Sequence, residues 1–313
     1  MRKLLAATSA IALAFAASPA LAHEHGDDAH SAGTGGPALW KVADEDTTIY
    51  LFGTVHILPE GLDWLKPTVA EALAGADQYG SEIDTSQIPD YDPTTGAPPP
   101  PELIEIATMQ AQLAQLTTGG TLRDLMDQED RAEYEAAMTS LGLPEATFDG
   151  FEPWFAMMTM SQIAMMQAGF DPTNGVERSL DELLEGKERA AFETVEQQMG
   201  FFDGLPMESQ LTFLDQSVEM LPDMQEGFNK MVGEWIEGDP DGLAAVINEG
   251  FADPVLYDAL LTQRNSAWAA WLDDRLDQPG TVFVAVGAGH LGGETSVQNF
   301  LAERGIVAER IEY

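Results

Sequence analysis

The sequence predicts an α/β protein in which a mixed β-sheet, formed by the N- and C-terminal segments, carries a large α-helical insert lobe. Two short runs of β-branched and aromatic residues, 49–53 and 282–286, lie near the two ends of the chain and are typical of buried strands. The segment between them, about 102–276, has apolar residues mostly at helical spacing. Strands on both sides of a long helical segment indicate one domain over residues 37–313, with its sheet packed against a helical lobe.

Six segments are predicted to be strands because each is short and apolar or β-branched: 40–42, 47–53, 79–83, 190–194, 281–286 and 306–311. Helical spacing and helix-start signals predict helices at 67–76, 102–116, from 122 after a capping Thr121, 128–142, 153–169, 176–184, 254–276 and 295–304. Between the predicted strand 190–194 and about residue 250, acidic helices are predicted, with interruptions at Pro206, Pro222 and Pro240. The proline-rich segment Gln87–Pro101 is predicted to be a loop.

The first 22 residues have the three parts of a signal peptide. Arg2 and Lys3 are followed by an apolar run and then by Ala20-Leu21-Ala22, a small-x-small cleavage site. The apolar run is too short to favour a membrane-spanning helix, and no second long apolar stretch follows, so we expect no stable membrane insertion. An exported protein, periplasmic or secreted, that begins near His23 is therefore predicted.

Residues 23–36 are rich in histidine and glycine and are predicted to form a flexible leader. Its histidines, His23, His25 and His30, stand among carboxylates and suit weak capture of a divalent metal. A leader of no fixed role explains the same composition equally well. The sequence leaves both interpretations open.

The formal net charge is −39, and the chain contains no cysteine. So acidic a protein repels phosphate backbones and anionic lipid headgroups, which argues against nucleic acid and membrane surfaces as partners. Without cysteine, neither a disulfide framework nor a lipid-anchored N-terminal cysteine is possible.

Outside the first thirty residues the chain has two histidines, His56 and His290, and both close a Gly-x-x-His motif directly after a predicted strand. In open α/β sheets, ligands gather at the carboxyl ends of strands. The two histidines are therefore candidates for one shared site, and a pair of hydrogen-bonded structural histidines is the alternative.

Glu82, at the end of the third predicted strand, completes a set of two histidines and one carboxylate, with Asp84 as a nearby substitute. Such a set can hold a divalent metal with positions left open for water and substrate. Arg264, next to Asn265 in the predicted helix 254–276, is a candidate for binding a carboxylate or a developing oxyanion, or for a structural salt bridge. Glu193 lies at another predicted strand end, where it can pair with Arg264.

The chain resembles the TraB/GumN family, which includes the Tiki metalloproteases. The resemblance rests on the order and spacing of motifs from about residue 37 to the C-terminus: Pro37-Ala-Leu-Trp40, Leu51-Phe-Gly-Thr-Val-His56, Gly80-Ser-Glu82, Pro153-Trp154, Gly175-Val-Glu177, Phe192-Glu-Thr194 with Gln197, Arg264-Asn265 with Trp268, and Val286-Gly-Ala-Gly-His290-Leu291. Position 177 departs from the family pattern, which usually has aspartate there, and the loop 87–101 is peculiar to this chain.

The resemblance implies a mixed α/β core related to erythromycin esterases and ChaN-like haem-binding proteins. It also implies a functional centre that contains His56, Glu82 and His290. In the Tiki branch such a centre supports peptide hydrolysis that depends on manganese or cobalt. The implied role for this chain is that of a metal ligand set, with the substrate unassigned.

Two hypotheses are consistent with these patterns. The first is an exported hydrolase of the Tiki type that acts on a peptide or protein. In this hypothesis His56, Glu82 and His290 hold manganese, cobalt or zinc, Glu82 and Arg264 are catalytic residues with Arg264 stabilising charge or positioning a carboxylate, and Glu193 is the candidate base. The second is a non-catalytic periplasmic protein that sequesters a peptide, haem or metal ion. An open coordination position favours the enzyme, and a closed metal site or an apolar cleft favours the binding protein.

Overall fold

The computed structural model describes residues 35–89, 91, 96–181, 183–251 and 253–312. The predicted signal peptide and residues 23–34 of the predicted leader lie outside the described residues. Part of the predicted loop 87–101 does so as well.

Within the described residues, six strands form one sheet in the order β4-β3-β5-β2-β1-β6. Their bounds are β1 Leu39–Ala43, β2 Thr47–Thr54, β3 Gln78–Ile83, β4 Glu188–Glu193, β5 Gly280–Gly287 and β6 Glu309–Arg310. Strands β4, β3, β5 and β2 are parallel neighbours, whereas β1 pairs antiparallel with both β2 and β6. This mixed sheet confirms the predicted fold class, and the parallel half brings four strand ends to one edge.

The helices of the insert lie mainly between β3 and β5. In chain order the helices are α1 Pro67–Ala74, α2 Pro101–Leu113, α3 Gln128–Ser140, α4 Pro153–Gln167, α5 Val176–Asp181, α6 Val195–Asp203, α7 Met207–Met220, α8 Met224–Glu237, α9 Pro240–Glu249, α10 Pro254–Tyr257, α11 Gln263–Leu276 and α12 Val297–Glu303. Prolines separate the acidic helices as predicted, because Pro206 precedes α7 and Pro240 occupies the first turn of α9, where a missing N–H costs nothing. No helix in the described ranges has both the length and the apolarity needed to cross a membrane.

Three predicted elements differ from the structure. The helix expected at 254–276 is split into α10, a wide π-helical turn over Asp258–Thr262, and α11. The helix expected from 122 is a single 3₁₀ turn, Leu122–Asp124, since Asp124 bonds back to the N–H of Thr121 at 2.9 Å and closes the turn. The strand expected at 306–311 is reduced to the two residues of β6, which pair with β1, and the next residue, Ile311, donates its N–H to the Leu39 carbonyl.

Both faces of the central strands are buried, which explains their nearly continuous apolar sequence. Leu51 and Val284 belong to a cluster covered by α11 and α12, which also contains Trp268. On the opposite face, Phe52 and Phe283 lie in the larger core beneath the helical lobe, with their ring centroids 5.9 Å apart. The sheet is therefore fixed from both sides, and the loops at its carboxyl edge are held on a rigid base.

Candidate functional site

The carboxyl edge of the parallel strands brings the predicted site residues together. His56 follows the end of β2, Glu82 is the penultimate residue of β3, and Glu193 ends β4. The pairing of Thr54 with Gly287 aligns the end of β2 with that of β5, after which a short 3₁₀ turn carries His290. The predicted shared edge of the sheet is therefore present in the structure.

Glu82 lies at the centre of this group, and both of its carboxylate oxygens accept hydrogen bonds. Oε1 accepts the backbone N–H of Gly287 at 2.7 Å. Oε2 accepts Nη2 of Arg264 at 2.6 Å and Nε2 of Gln198 at 3.0 Å. Burial raises the pKa of Glu82, but the Arg264 guanidinium, the His56 charge and the Gly287 N–H outweigh burial and lower it to about 2. Glu82 is therefore a fixed negative charge.

Arg264 is 2% exposed and joins Glu82 to Glu193. Its Nε and Nη2 bind the two oxygens of Glu193 at 2.7 and 2.9 Å, and Nη1 donates to the Leu260 carbonyl at 3.0 Å. Leu260 belongs to the π-helical turn that precedes Arg264. Because a π-helical turn rotates the residues after it relative to an α-helix, this turn helps to set the position of the Arg264 guanidinium. One arginine thus pairs with two buried carboxylates, each of which would be costly to bury without a partner.

Glu193 also accepts Nε1 of Trp268 at 3.1 Å. Burial raises the pKa of Glu193, against the opposing effect of the Arg264 hydrogen bonds. Both oxygens of Glu193 are therefore hydrogen-bonded, Oε1 to Arg264 and Trp268 and Oε2 to Arg264. This arrangement pairs Glu193 with Arg264, and the role of Glu193 as the base stays a prediction.

His290 is held in one tautomer by Asn265. The Asn265 Nδ2 donates to the Thr295 carbonyl at 2.7 Å, so its Oδ1 must face His290 Nδ1, which lies 2.5 Å away. Nδ1 thus carries the hydrogen, and Nε2 presents a lone pair, with Arg264 Nη1 at 3.2 Å from it. Burial and the nearby Arg264 charge lower the pKa of His290 to about 3, which keeps this imidazole neutral.

His56 is held by a carboxylate instead. Its Nδ1 lies 2.7 Å from Glu177 Oε1. Burial lowers the pKa of His56, but the Glu177 carboxylate, by charge and hydrogen bond, outweighs burial and raises it to about 9. The segment that carries Glu177 can approach because Gly175 has no side chain: a Cβ there would lie 2.2 Å from the His56 carbonyl oxygen.

The Nε2 atoms of both histidines approach the same carboxylate oxygen. His56 Nε2 and His290 Nε2 each lie 3.9 Å from Glu82 Oε1. The space between them exists because position 287 is glycine: a Cβ there would be 3.0 Å from Glu82 Oε1 and 3.5 Å from His56 Nε2. A methyl-sized cradle is thus bounded by His56, Glu82, Gly287 and His290.

This cradle opens into a narrow cleft with a cavity volume of about 40 Å³. His56, Glu82 and His290 are polar residues of its lining. An apolar wall is formed by side chains of α8, α9 and the π-helical turn: Phe228, Met231, Leu243, Ile247 and Leu261. Neither Arg264 nor Glu193 is among the described residues that line the cleft. Arg264 contacts the cleft residues Glu82 and His290, and Glu193 is linked to them through Arg264.

The donor chemistry suits a divalent ion. Two imidazoles are each oriented through Nδ1 by an oxygen, from Glu177 or Asn265, which is the usual surroundings of metal-bound histidine. The spacing is wider than coordination requires, since metal–nitrogen bonds are about 2.1 Å long. In the part of the chain that the structure describes, no group of three or more His, Cys, Asp or Glu side chains is arranged to hold an ion. Arg264 also competes for His290 Nε2.

Other residues near the site differ from what the sequence indicated. Asp84, the alternative to Glu82, is exposed and accepts the N–H of Ser86 at 2.9 Å, as the cap of a 3₁₀ turn. Gln197, part of the family motif, caps the start of α6 through Thr194. The next residue, Gln198, reaches Glu82 and was not predicted. The one sequence signal for Gln198 is helix geometry: successive residues are rotated by about 100°, so Gln197 and Gln198 lie on different sides of α6.

Comparisons with known proteins agree with the predicted resemblance. The uncharacterized protein YbaP of Escherichia coli strain K12 is 24% identical over 267 residues, which are 85% of this chain and 92% of that protein. An uncharacterized protein of Treponema pallidum strain Nichols is 20% identical over 286 residues, 85% of this chain and 80% of its own length. No solved structure matches the chain significantly. A family model described as the TraB/PrgY/gumN family matches residues 38–310, and the chain therefore belongs to this family.

Proposed function

We propose that this protein is a metal-dependent hydrolase that cleaves a peptide bond in a peptide or protein. One observation carries the proposal: two imidazole Nε2 atoms lie at the same distance from one carboxylate oxygen, around a cradle that only glycine at position 287 leaves open. His56, Glu82 and His290 would hold the ion, with manganese, cobalt and zinc as the candidates. A bound ion of this kind polarises a carbonyl and lowers the pKa of water.

The residues of the chain prepare this site in three ways. Glu177 and Asn265 orient the two imidazoles, so that both Nε2 atoms face the cradle. Arg264, Gln198 and the Gly287 N–H hold Glu82 ionised and fixed in place. A site whose groups are already oriented loses little free energy to reorganisation during reaction.

The cleft supports a substrate with an apolar side chain beside the scissile bond. The apolar wall and the cradle belong to the same cleft, so a substrate whose carbonyl lies at the cradle would have apolar side chains such as Ile247 and Leu261 among its neighbours. Apolar burial contributes about 25 cal/mol per Å² and needs no partner of fixed geometry. We therefore propose peptides with a large apolar residue as the substrate class.

The proposal includes export. The signal-peptide pattern of residues 1–22 supports a periplasmic or secreted protein whose mature chain starts near His23. Mass spectrometry of the protein isolated from the exporting cell tests this part. Recovery of the chain with Met1 to Ala22 still attached, in the cytoplasmic fraction, would contradict it.

A second function is favoured by the apolar wall and by the contact of Arg264 with His290. A non-catalytic binding protein could hold an apolar peptide or haem in the cleft, with the ion-paired cluster serving stability alone. The two functions differ in one measurable respect. The enzyme cleaves its ligand and loses activity with a chelator, whereas the binding protein retains its ligand intact.

The deciding experiment combines metal analysis with cleavage. The full mature chain is prepared with His23, His25 and His30 replaced by alanine, so that the leader cannot bind ions. Titration calorimetry with manganese, cobalt and zinc should show one ion per chain, and a peptide library should be cut next to apolar residues, with and without chelator. Glu82→Gln should abolish cleavage.

Asp84→Asn is the matched control, because it removes the same charge two residues away and asparagine retains the turn cap. Cleavage by Asp84→Asn should equal that of the parent chain. Absence of metal binding, together with retention of an uncut peptide, would reject the hydrolase and support the binding protein.

A further inference from the structure

The cleft beside the cradle is much smaller than the substrate proposed for it. Its cavity volume of about 40 Å³ holds a few water molecules, at about 10–15 Å³ each. A cavity of about 150 Å³ with similar apolar walls binds one benzene ring, and ligand pockets usually exceed about 300 Å³. A peptide with a large apolar side chain can therefore enter only if part of the wall moves.

Two of the three elements in the apolar wall are held by buried hydrogen bonds. Helix α8 is joined to β2, because Trp235 Nε1 donates to the Gly53 carbonyl at 2.9 Å. The π-helical turn is joined to Arg264, whose Nη1 donates to the Leu260 carbonyl at 3.0 Å. Moving either element would break a buried hydrogen bond and leave polar groups unpaired, so these two walls are fixed.

The third element, α9, has no such bond. It contributes Leu243 and Ile247 to the lining of the cleft. Among the described residues, its side chains form one ion pair with another element, between Lys230 and Glu249 at 3.9 Å, and both members are partly exposed. Exposed ion pairs contribute little to stability. Of the three walls, α9 is therefore the one that moves most easily.

The contact between α9 and the loop 287–293, which follows β5, is close and apolar. A Cβ at Gly289 would lie 2.8 Å from Ile247 Cδ1, and a Cβ at Gly292 would lie 2.4 Å from the Pro240 carbonyl oxygen. In the part of the chain that the structure describes, no hydrogen bond or ion pair joins α9 to this loop. Apolar contacts are non-directional, so a substrate side chain can replace Ile247 without any polar bond being broken.

The two ends of α9 suit a hinge. Gly238, with a φ of +72°, ends α8, and Gly250 follows the last residue of α9. Lid hinges are a few residues at the ends of elements, often small ones, that absorb changes in backbone angles. Asp239 caps α9 by accepting the N–H groups of Asp241 and Gly242 at 3.1 and 2.9 Å, so the helix keeps its cap if it moves as a unit.

We propose that α9 is a lid that moves away from the loop 287–293 to admit a large apolar side chain, and that Ile247 closes the cleft when no substrate is bound. This inference rests on the proposed function, because it takes the cleft as the substrate site. A substrate side chain in the cleft covers the apolar surface that α9 uncovers, so substrate binding favours the open state.

A reversible disulfide tests the lid, since the full mature chain has no cysteine of its own. Ala244→Cys combined with Gly293→Cys places the two Cβ atoms about 3.3 Å apart, near the spacing of about 3.8 Å in disulfides. The oxidised form should cut peptides with large apolar residues at least about tenfold more slowly than the reduced form. The reduced form is the matched control, because it has the same strained side chain at position 293, where φ is +74°.

Manganese affinity, measured by titration calorimetry, should agree within about twofold between the oxidised and reduced forms, because an ion needs no opening of the lid. A loss of manganese affinity that matches the loss of cleavage would trace the effect to the cradle and overturn the lid. Equal cleavage by the two forms would overturn it as well.

A second measurement does not depend on cleavage. Leu261→Cys places a single thiol on the cleft wall, whereas Leu260→Cys places one at the preceding residue, which is equally buried and outside the cleft lining. A bulky maleimide should label Leu261→Cys at least about tenfold faster, since opening of the lid uncovers position 261 alone. Equal labelling rates would overturn the lid. This comparison also decides the question if the disulfide fails to form. If the parent chain cuts no peptide, the proposed hydrolase fails, and the labelling rates alone decide whether α9 opens.

Discussion

His56 and His290 end the same kind of motif on neighbouring parallel strands, yet they have opposite electrostatic environments. His56 has a carboxylate, Glu177, at its Nδ1, and the pKa of His56 is raised to about 9. His290 has an amide, Asn265, at its Nδ1 and a guanidinium near its Nε2, and the pKa of His290 is lowered to about 3. At neutral pH the first imidazole is charged and the second is neutral when no metal is bound.

The difference shows that a motif fixes the place of a side chain but not its charge. Both histidines are delivered by a strand and a glycine, whereas their protonation is decided by residues from α5 and α11. A metal ion binds only neutral imidazole. His290 is already neutral and needs only to give up its contact with Arg264, whereas His56 must first lose a proton, so metal binding should release about one proton per ion at neutral pH.

The largest effect should come from removing the charge that distinguishes His290. Arg264→Met leaves Glu82 and Glu193 buried without their partner, and the free energy of unfolding should fall by about 3–5 kcal/mol. The pKa of His290 should rise, because Arg264 lowers it. Urea denaturation and proton NMR of the histidine rings measure the two effects.

Arg304→Met is the control for Arg264→Met, because it removes an arginine from an exposed pair with Asp273 at 3.1 Å. Its cost should lie between about 0 and 1 kcal/mol. Equal costs for the two variants would show that the buried cluster is not the basis of the contrast between the histidines.

Filling the cradle should affect both histidines at once. In Gly287→Ala, the new methyl group would lie 3.0 Å from Glu82 Oε1 and 3.5 Å from His56 Nε2. The affinity for manganese or cobalt should fall at least about tenfold, which is about 1.4 kcal/mol, since the space for an ion is taken. Titration calorimetry measures this change.

Gly200→Ala is the matched control for Gly287→Ala, because a Cβ at position 200 meets nothing within 4 Å. Position 200 lies inside α6, where alanine should stabilise the helix by about 0.5–1 kcal/mol without affecting metal binding. Unchanged metal affinity in Gly287→Ala would place any ion outside the cradle.

Glu177→Gln gives His56 an amide partner like that of His290 and should remove most of the contrast. Since the folded pKa of His56 is raised from 6.5 to about 9, the stabilisation is complete below about pH 6.5 and is lost as the pH rises through about 9. Solvent reaches the 21% exposed His56 side chain, so screening reduces the contribution, and we expect about 2 kcal/mol.

The Glu177 carboxylate sets the acid limit of this effect, because its own pKa is lowered by His56 and the pair is lost when Glu177 is protonated. In the metal-free protein, the stability difference between the parent chain and Glu177→Gln should therefore peak on the acid side of neutrality and shrink towards pH 10. A difference that does not change with pH would show that His56 is neutral in the folded protein.

The sequence was sufficient to place the four strand-end residues at one edge. His56, Glu82, Glu193 and His290 each end or follow an apolar strand, and parallel strands end together. The order of motifs was also sufficient to assign the family. These inferences depend only on the local sequence pattern of each strand or motif and on the direction in which the strands run.

Three features of the site depend on contacts between distant elements and could not be predicted. Gln198 rather than Gln197 reaches Glu82, because of the rotation of α6 about its axis. The π-helical turn Asp258–Thr262 shifts the helical phase inside a segment whose spacing of apolar residues predicts one continuous helix. The opposite charges of the two histidines arise from Glu177 and Asn265, which approach from separate helices.

The smallest effect should come from a single hydrogen bond at the His290 side of the site. Trp268 donates to Glu193 at 3.1 Å, and its ring centroid lies 4.3 Å from that of His290. Trp268→Phe retains an aromatic ring there and removes the donor, so Glu193 keeps Arg264 alone. A hydrogen bond to a charged group contributes about 1.5 kcal/mol, and the free energy of unfolding should fall by about that amount beyond the loss of ring size.

Trp271→Phe measures the loss of ring size by itself, because Trp271 packs against Phe192 at 5.0 Å on the same helix as Trp268 and makes no hydrogen bond with a described residue. The difference between the two variants in urea denaturation reports the bond to Glu193 together with the contact of the Trp268 ring with the Arg264 guanidinium, which lies 4.8 Å from the ring centroid. If it is near zero, Arg264 alone suffices to hold Glu193, and the neutral state of His290 depends on the guanidinium rather than on the indole beside it. If it is near about 1.5 kcal/mol, Trp268 contributes to the fixed position of Arg264 and so to the contrast with His56.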